Sequence, residues 1–308
     1  MQYRERKNYN KVITVKLVIP SGCNAHCYFC YMKDSQMKMT YDKKSFIKNF
    51  LPSLTFILKE IGDKNPVSLD ITGNEPTYDV ELLKEVLISL RHYGIKDKVL
   101  RTTITTNGYN LQKLIPYFAG VIDYVNISVH DFDRYRRQKI MGCKSVSGEE
   151  YARMVNDLKS VGINTSVIAV ISKPINQFSD WRDSFIEWSR EKGFIGIRFR
   201  CDAFLEDKTD FNRYMNESLK DPEFTVITHE NTPDSHWCRL RRYDGFRVFF
   251  LQGVLDTSVY TKGIEYVIAD DGKLYCDFYK RTKIEDYQYE IGKIYDRCLD
   301  ENGEKEKI

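Results

Sequence analysis

At 308 residues the chain is long enough for one large domain, or a domain with a smaller appendage, without core size limiting it. With 42% hydrophobic and 30% charged residues it has the balance of a soluble globular protein, and a net charge of +3 is too small to make nucleic acid the main partner. No stretch reaches membrane-spanning length, and the polar Met1–Lys11 segment followed by Lys16 lacks the apolar core of a secretory signal; eight cysteines in the reducing cytoplasm expected on that basis are free thiols or metal ligands rather than disulfides.

In chain order, Val12 to Ile19 is an apolar, β-branched run that reads as a buried strand, ended by Pro20-Ser21-Gly22. Immediately after that turn come Cys23-Asn24-Ala25-His26-Cys27-Tyr28-Phe29-Cys30, three thiols on one loop. Tyr41 to Ile61 has helical spacing, with a kink or break expected at Pro52. Pro66 to Thr72 reads as a strand with Gly73-Asn74-Glu75-Pro76 as its exit loop, and Asp79 to Tyr93 as an amphipathic helix stopped by Gly94. Strands are expected at Val99–Thr106, Tyr124–His130, Asn164–Ile171 and Phe194–Arg200, alternating with helices at Leu111–Phe118, Gly148–Val161 and Phe178–Lys192. Such alternation means parallel strands with right-handed crossovers, and residues 1–200 form an α/β core. An open barrel of six β/α units and a doubly wound sheet both fit, and both put working loops at the C-terminal ends of the strands.

The alternation stops near Cys201. Residues 202–236 read as polar and irregular, with one short helix around Phe211 to Leu219. Strands follow at Phe246–Leu251, Ile264–Ala269 and Lys273–Phe278, the last two flanking the hairpin signal Asp270-Asp271-Gly272. Residues 201–308 are thus expected to be a smaller α+β extension or cap, with a charged tail at Asp300 to Ile308.

Roughly one chain in 200 of this composition would carry a C-x3-C-x2-C spacing by chance, so the loop calls for a chemical explanation. A ferredoxin-type carrier needs four thiolates, and no fourth cysteine is local in sequence. A structural zinc could take Cys23, His26, Cys27 and Cys30, although four tetrahedral ligands within eight consecutive residues is sterically tight. The third reading is a [4Fe–4S] cluster held by three cysteines, leaving one iron open to bind and activate a second molecule.

On Cys23, Cys27, Phe29 and Cys30 the chain resembles the radical SAM enzymes, whose motif is C-x3-C-x-Φ-C with Φ aromatic. The resemblance implies a cluster on the three cysteines and an open iron chelated by the amino and carboxylate groups of S-adenosylmethionine. It also implies one-electron cleavage to a 5′-deoxyadenosyl radical, with the protein positioning and shielding that radical. The family's Gly-Gly-Glu-Pro loop, which binds the methionine amino group, is matched by Gly73-Asn74-Glu75-Pro76, with Asn replacing the second Gly. Asn107, in Thr105-Thr106-Asn107-Gly108, and Ser128 look like the family's contacts to the ribose and methionine parts of the cofactor, and Phe29 and Arg198 are grouped with them. Ser128, Phe132 and Asp133 are similar to stretches in the peptide-modifying and viperin-like branches. The resemblance covers about residues 12–200 and implies a partial (β/α)6, TIM-like barrel. Taken singly, Glu75, Asn107 and Ser128 have plain structural readings as a helix N-terminal acid, a turn residue and a strand hydroxyl.

On the substrate side, Arg198 and Arg200 lie two apart on one strand face and would be fixed cations for a carboxylate or phosphate if that face is inward. Arg134, Arg136, Arg137 and Lys139 are a second candidate anion contact, or an exposed helix face. Cys201, at the end of the sixth strand, is a candidate hydrogen-atom donor or auxiliary-cluster ligand. Cys143, Cys238, Cys276 and Cys298 are the other cysteines outside the loop, and Gly272 to Cys276 is reminiscent of the start of a SPASM or twitch extension without its paired cysteines. Buried inert thiols are the simpler expectation for them. Peptide modification is the leading substrate class, nucleotide or small-metabolite modification the second. A non-catalytic zinc or iron–sulfur scaffold is the reading from another class. The resemblance also implies an external electron donor, a reductase, flavodoxin or ferredoxin.

Overall fold

The computed structural model describes residues 12–30, 42–62, 65–171, 180–201, 209–232, 235–252 and 265–275. The expectations for Cys276, Cys298 and the charged tail fall outside these residues. Six strands run parallel as neighbours in chain order: β1 (Ile13–Ile19), β2 (Val67–Gly73), β3 (Arg101–Thr106), β4 (Tyr124–Ser128), β5 (Asn164–Ile171) and β6 (Gly196–Cys201). The strand order never reverses, so the topology is the unclosed barrel and not the doubly wound sheet, whose order turns back on itself.

Strand alternation builds two unlike faces. Ile13, Val15, Leu17 and Ile19 of β1, Val67, Leu69 and Ile71 of β2, and Val125 and Ile127 of β4 are buried. They lie under helices α1 (Lys43–Glu60), α2 (Val80–His92), α3 (Ile95–Lys98) and α4 (Leu111–Phe118). The alternate residues, among them Lys16, Asp70, Thr105, Tyr124, Asn126, Ser128, Arg198 and Arg200, share the opposite face, which is polar. A continuous apolar reading of these strands therefore hides a polar interior.

Helix α1 runs unbroken through Pro52, so of the kink or break expected there the break into two pieces does not occur. Pro52 is on the exposed side, so the carbonyl that loses its amide partner faces water, while Phe46, Phe50, Leu54 and Ile57 hold the other side in the core. Two short helices were not legible as periodicity: α3, a single turn, and α5 (Arg134–Met141). Then come α6 (Gly148–Ser160), opened by a Ser147/Glu150 capping box, and α7 (Trp181–Glu191).

Beyond β6 the chain forms α8 (Thr209–Lys220), the short helix anticipated around Phe211 to Leu219, and then the antiparallel pair β7 (Phe224–Thr232) and β8 (Ser235–Arg242), where irregular chain was expected. Strand β9 (Arg247–Leu251) inserts parallel to β6 and antiparallel to β8. Strand β10 (Glu265–Ile268) crosses back to pair parallel with β1, and β11 (Leu274–Tyr275) pairs with β10 through the anticipated Asp270-Asp271-Gly272 turn. The result is one sheet in the order β11-β10-β1-β2-β3-β4-β5-β6-β9-β8-β7, so the C-terminal strands extend both edges of the barrel sheet. Among the described residues no helix is long and apolar enough to cross a membrane.

Candidate active site

The three-cysteine loop leaves β1 at the C-terminal edge of the sheet. Within it the Ala25 amide donates to Cys23 Sγ (3.3 Å) and the Cys30 amide to the Cys27 carbonyl (3.1 Å), a tight turn that keeps the thiols on one short arc. All three are half-buried and none is in a disulfide. Burial pushes the Cys23 thiol up to about 11 and the Cys27 thiol up to about 12, with neighbouring thiols adding to both. A bound cationic centre reverses that balance, because a coordinated thiol is deprotonated outright.

Among the described residues no three His, Cys, Asp or Glu side chains stand close enough to hold one metal ion. A tetrahedral zinc with bonds of about 2.3 Å needs its ligands roughly 3.8 Å apart. An iron–sulfur cube instead spreads its thiolates over separate irons. Three thiols on one loop are the donor chemistry such a cluster takes, one to each of three irons.

The exits of β1, β2 and β3 are laced together behind the loop. Gly73 closes β2 at φ 148°, and a Cβ there would sit 2.7 Å from the Ile19 carbonyl oxygen, so only glycine lets the two backbones approach. Asn74, in place of the family's second glycine, donates from Nδ2 to the Ser21 carbonyl (3.3 Å). The Glu75 amide donates to the Gly22 carbonyl (3.1 Å), and Ser21 Oγ donates to the Glu75 carbonyl (2.6 Å). Pro76 is buried beside them.

The Glu75 side chain is 2% exposed. Its Oε1 accepts from the Thr77 amide (2.9 Å), Thr77 Oγ1 (2.6 Å) and Thr106 Oγ1 (2.5 Å), and its Oε2 from the Asn107 amide (2.6 Å). Burial raises its pKa and the donors oppose that rise. Oε2 keeps room for one more donor. Asn107 carries the link onward: its Nδ2 donates to Asn24 Oδ1 (2.9 Å) and lies 3.9 Å from Cys23 Sγ. Glu75 and Asn107 thus connect the β2 and β3 exits to the cysteine loop.

A second support comes from the exit of β4. His130 takes φ 67°, is fully buried, and accepts the Val170 amide on Nδ1 (3.3 Å). Its ring meets Phe29 edge-on at 4.8 Å, which fixes the motif aromatic from behind. Burial holds the imidazole down at about 3, with the Arg137 charge adding to the shift, so His130 is neutral at physiological pH. Arg137, counted in the sequence among a surface-like charge run, is buried. It donates to the Asp131 carbonyl (2.6 Å), the Phe132 carbonyl (3.2 Å), Ser145 Oγ and the Val146 carbonyl (2.8 Å). Arg136 pairs with the buried Asp131 carboxylate, which also accepts from Trp181 Nε1. Two of the four cations are therefore used inside the fold and form no open anion site. The loop they hold touches the cysteine loop directly, since the His26 amide donates to the Met141 carbonyl (2.7 Å).

Ser128 and Arg198 lie on the polar inner face, joined through the register Ser128–Ile168–Arg198. Cys201, one residue beyond Arg200, falls on the opposite face and is buried in the apolar core with Phe199 and Phe250. That placement separates it from the face carrying Arg198 and Ser128. Cys238 is likewise a core thiol, pushed up to about 12 by burial. Sequence reasoning passed over His130, Asp131 and Thr106, and took Arg137 for an anion contact or part of an exposed helix face. The only signal available was that polar residues cluster at strand ends, where parallel sheets keep their working loops.

The sequence model of the radical SAM superfamily matches residues 17–183, just over half of the chain. An S-adenosylmethionine-dependent nucleotide dehydratase from Fibrobacter sp. (strain UWH6) is 23% identical over 97% of this chain and 87% of its own length. A probable GTP 3′,8-cyclase from Pyrobaculum aerophilum is 26% identical over 54% of this chain and 50% of its own length. Among solved structures, Streptococcus suis SuiB bound to its precursor peptide SuiA aligns with a TM-score of 0.57 at 15% identity, over 89% of this chain and 62% of that one. The chain belongs to the radical SAM superfamily, enzymes that use a [4Fe–4S] cluster and S-adenosylmethionine.

Proposed function

We propose that this radical SAM enzyme acts on a phosphorylated nucleotide. The cluster supplies the electron that opens the sulfonium of S-adenosylmethionine when both are bound. In this reading Cys23, Cys27 and Cys30 hold the cluster. Gly73 to Pro76, Asn107 and Ser128 seat the cofactor, with Phe29 packed beside the cluster. An external one-electron donor of flavodoxin or ferredoxin type completes the requirement.

The observation that carries the substrate class is the arginine face on the C-terminal side of the sheet. Phe249 lies between two guanidinium groups, Arg198 at 6.0 Å and Arg239 at 5.4 Å from its ring. Arg198 also covers Tyr124 (5.6 Å) and Arg239 covers Trp237 (5.2 Å). Register puts Arg200, Arg241 and Arg247 on the same face. Burial lowers the Arg198 pKa and the charges of Arg101 and Arg200 add to that, while Tyr124 and Asp70 act the other way. Guanidinium forks interleaved with aromatic rings match phosphates beside a base. The relatives named nucleotide dehydratase and GTP cyclase point the same way. The likeness to SuiB is one of fold and carries no argument for a peptide.

The test is anaerobic turnover with S-adenosylmethionine, a reductant, and either the common nucleoside triphosphates or short peptides, reading 5′-deoxyadenosine release. Nucleotides stimulate release, and Arg198→Met raises the nucleotide KM about 10- to 100-fold, the loss of one charge-assisted contact. Stimulation by peptides alone overturns the reading.

A further inference from the structure

The polar inner face carries two rows of side chains that are satisfied differently. In the row nearer the strand exits, Ser166 Oγ donates to Asn126 Oδ1 (2.8 Å) and Asn126 Nδ2 donates to Thr105 Oγ1 (3.4 Å), so that row is closed on itself. The row below it crosses β1 to β4 as Lys16, Asp70, Thr103 and Tyr124, opposite one another in register and therefore on one face. Asp70 Oδ1 and Thr103 Oγ1 are buried in this row, and among the described residues neither has a hydrogen-bond partner. Thr103 is 4% exposed. Leaving a carboxylate oxygen and a hydroxyl buried and unpaired on adjacent strands costs free energy, and points to a ligand that supplies the missing partners. The row ends at Tyr124, whose ring Arg198 covers at 5.6 Å. Thr103 is thus one strand and Asp70 two strands from the arginine face, roughly 10 Å across the sheet. That is the reach of a nucleoside from its base to its first phosphate.

We propose, on the reading of the arginine face as a phosphate site, that Asp70 and Thr103 recognise the base of the nucleotide and that this base is guanine. A carboxylate only accepts, and it can take two neighbouring N–H donors at once. Guanine presents such a pair, N1–H and the 2-amino group, with the O6 acceptor beside them. The matching edges of adenine, cytosine and uracil each offer a single donor group. Asp70 accepts from both guanine nitrogens while Thr103 Oγ1 donates to O6, and the phosphates extend towards Arg198. Both buried oxygens then have partners. No bond forms or breaks in this step, and discrimination is by binding alone.

The test uses anaerobically reconstituted full-length protein with S-adenosylmethionine, reading the binding of GTP, ITP, ATP, CTP and UTP by equilibrium dialysis, with iron content checked in each sample. ITP keeps the guanine edge but lacks the 2-amino group. The parent protein binds GTP at least about tenfold more tightly than the other four. Asp70→Asn brings GTP down to the level of ITP, because the amide turns one acceptor into a donor facing another donor. Thr103→Val weakens GTP and ITP alike, by several-fold, since both carry O6. Arg198→Met weakens all five nucleotides together. Equal binding of GTP and ITP by the parent overturns the proposal whatever the variants do. A preference for another base overturns it, as does a GTP preference that survives Asp70→Asn. In each of those cases nucleotides as a class are still bound. Binding of no nucleotide at all removes the phosphate-site reading, and the proposal with it.

Discussion

His130→Asn separates two things that the buried imidazole does. Asparagine keeps an acceptor where Nδ1 receives the Val170 amide and tolerates the positive φ of this position, but it neither titrates nor fills the space against Phe29. At about pH 7.5 the variant is less stable by ~1 kcal/mol, the worth of the lost edge-on ring contact. Acidification narrows that gap. The folded-state pKa of His130 is depressed to about 3, whereas the unfolded chain titrates near 6.5. Below 6.5 the unfolded parent chain therefore takes up a proton that the native state refuses, and its stability falls as pH drops from there towards 3. At about pH 5.5, one unit below the unfolded value, the parent has lost ~1.4 kcal/mol on this account and the variant none. The difference between the two should vanish or change sign. Urea unfolding at both pH values, with iron content checked in each sample, measures it. An identical gap at the two pH values refutes a buried neutral imidazole.

Other residues give independent tests. Gly73→Ala forces a Cβ into the Ile19 carbonyl at a left-handed φ, and urea unfolding should show a loss of ~2 kcal/mol or more, with normal stability counting against the close approach of β1 and β2. Arg137→Lys replaces a fork serving four acceptors with a point charge, and a loss of ~3 kcal/mol is expected; a thermal midpoint within a degree or so of the parent would contradict its clasping role. Thr106→Val removes one donor from the buried Glu75 carboxylate. It should weaken S-adenosylmethionine binding several-fold while iron stays bound, as isothermal titration of the loaded protein would read. Cys27→Ala should abolish the cluster and cofactor cleavage together, and retained 5′-deoxyadenosine formation would remove Cys27 from the ligand set.

The β/α core was legible because its signals are local. Apolar runs of strand length, helical spacing and a glycine stop such as Gly94 can each be read within a few residues. The cysteine loop was legible for the same reason. Arg137 could not be read, since a buried guanidinium and a solvated one look alike until Ser145 and Val146 fold back on it. The β7–β8 pair was missed although Cys238 and Leu240 alternate with Trp237, Arg239 and Arg241, a half-buried strand pattern obscured by its many charges. Met141 and Gly142 lie more than 110 residues from the cysteine loop in sequence, and their contacts with His26 show only once the chain has folded.

The strand that delivers the cysteine loop has a neighbour on each side, β2 and β10, and the second is encoded some 250 residues later. During synthesis β1 can dock on β2 early, but its other edge stays unpaired until β10 has been made. Such long-range closure is the slow kind. Iron delivered before that point would meet thiols on a half-anchored loop, so cluster loading should favour the finished chain over the nascent one. A truncated chain ending before Glu265 would reveal this as poor iron retention, even with every cysteine of the loop in place.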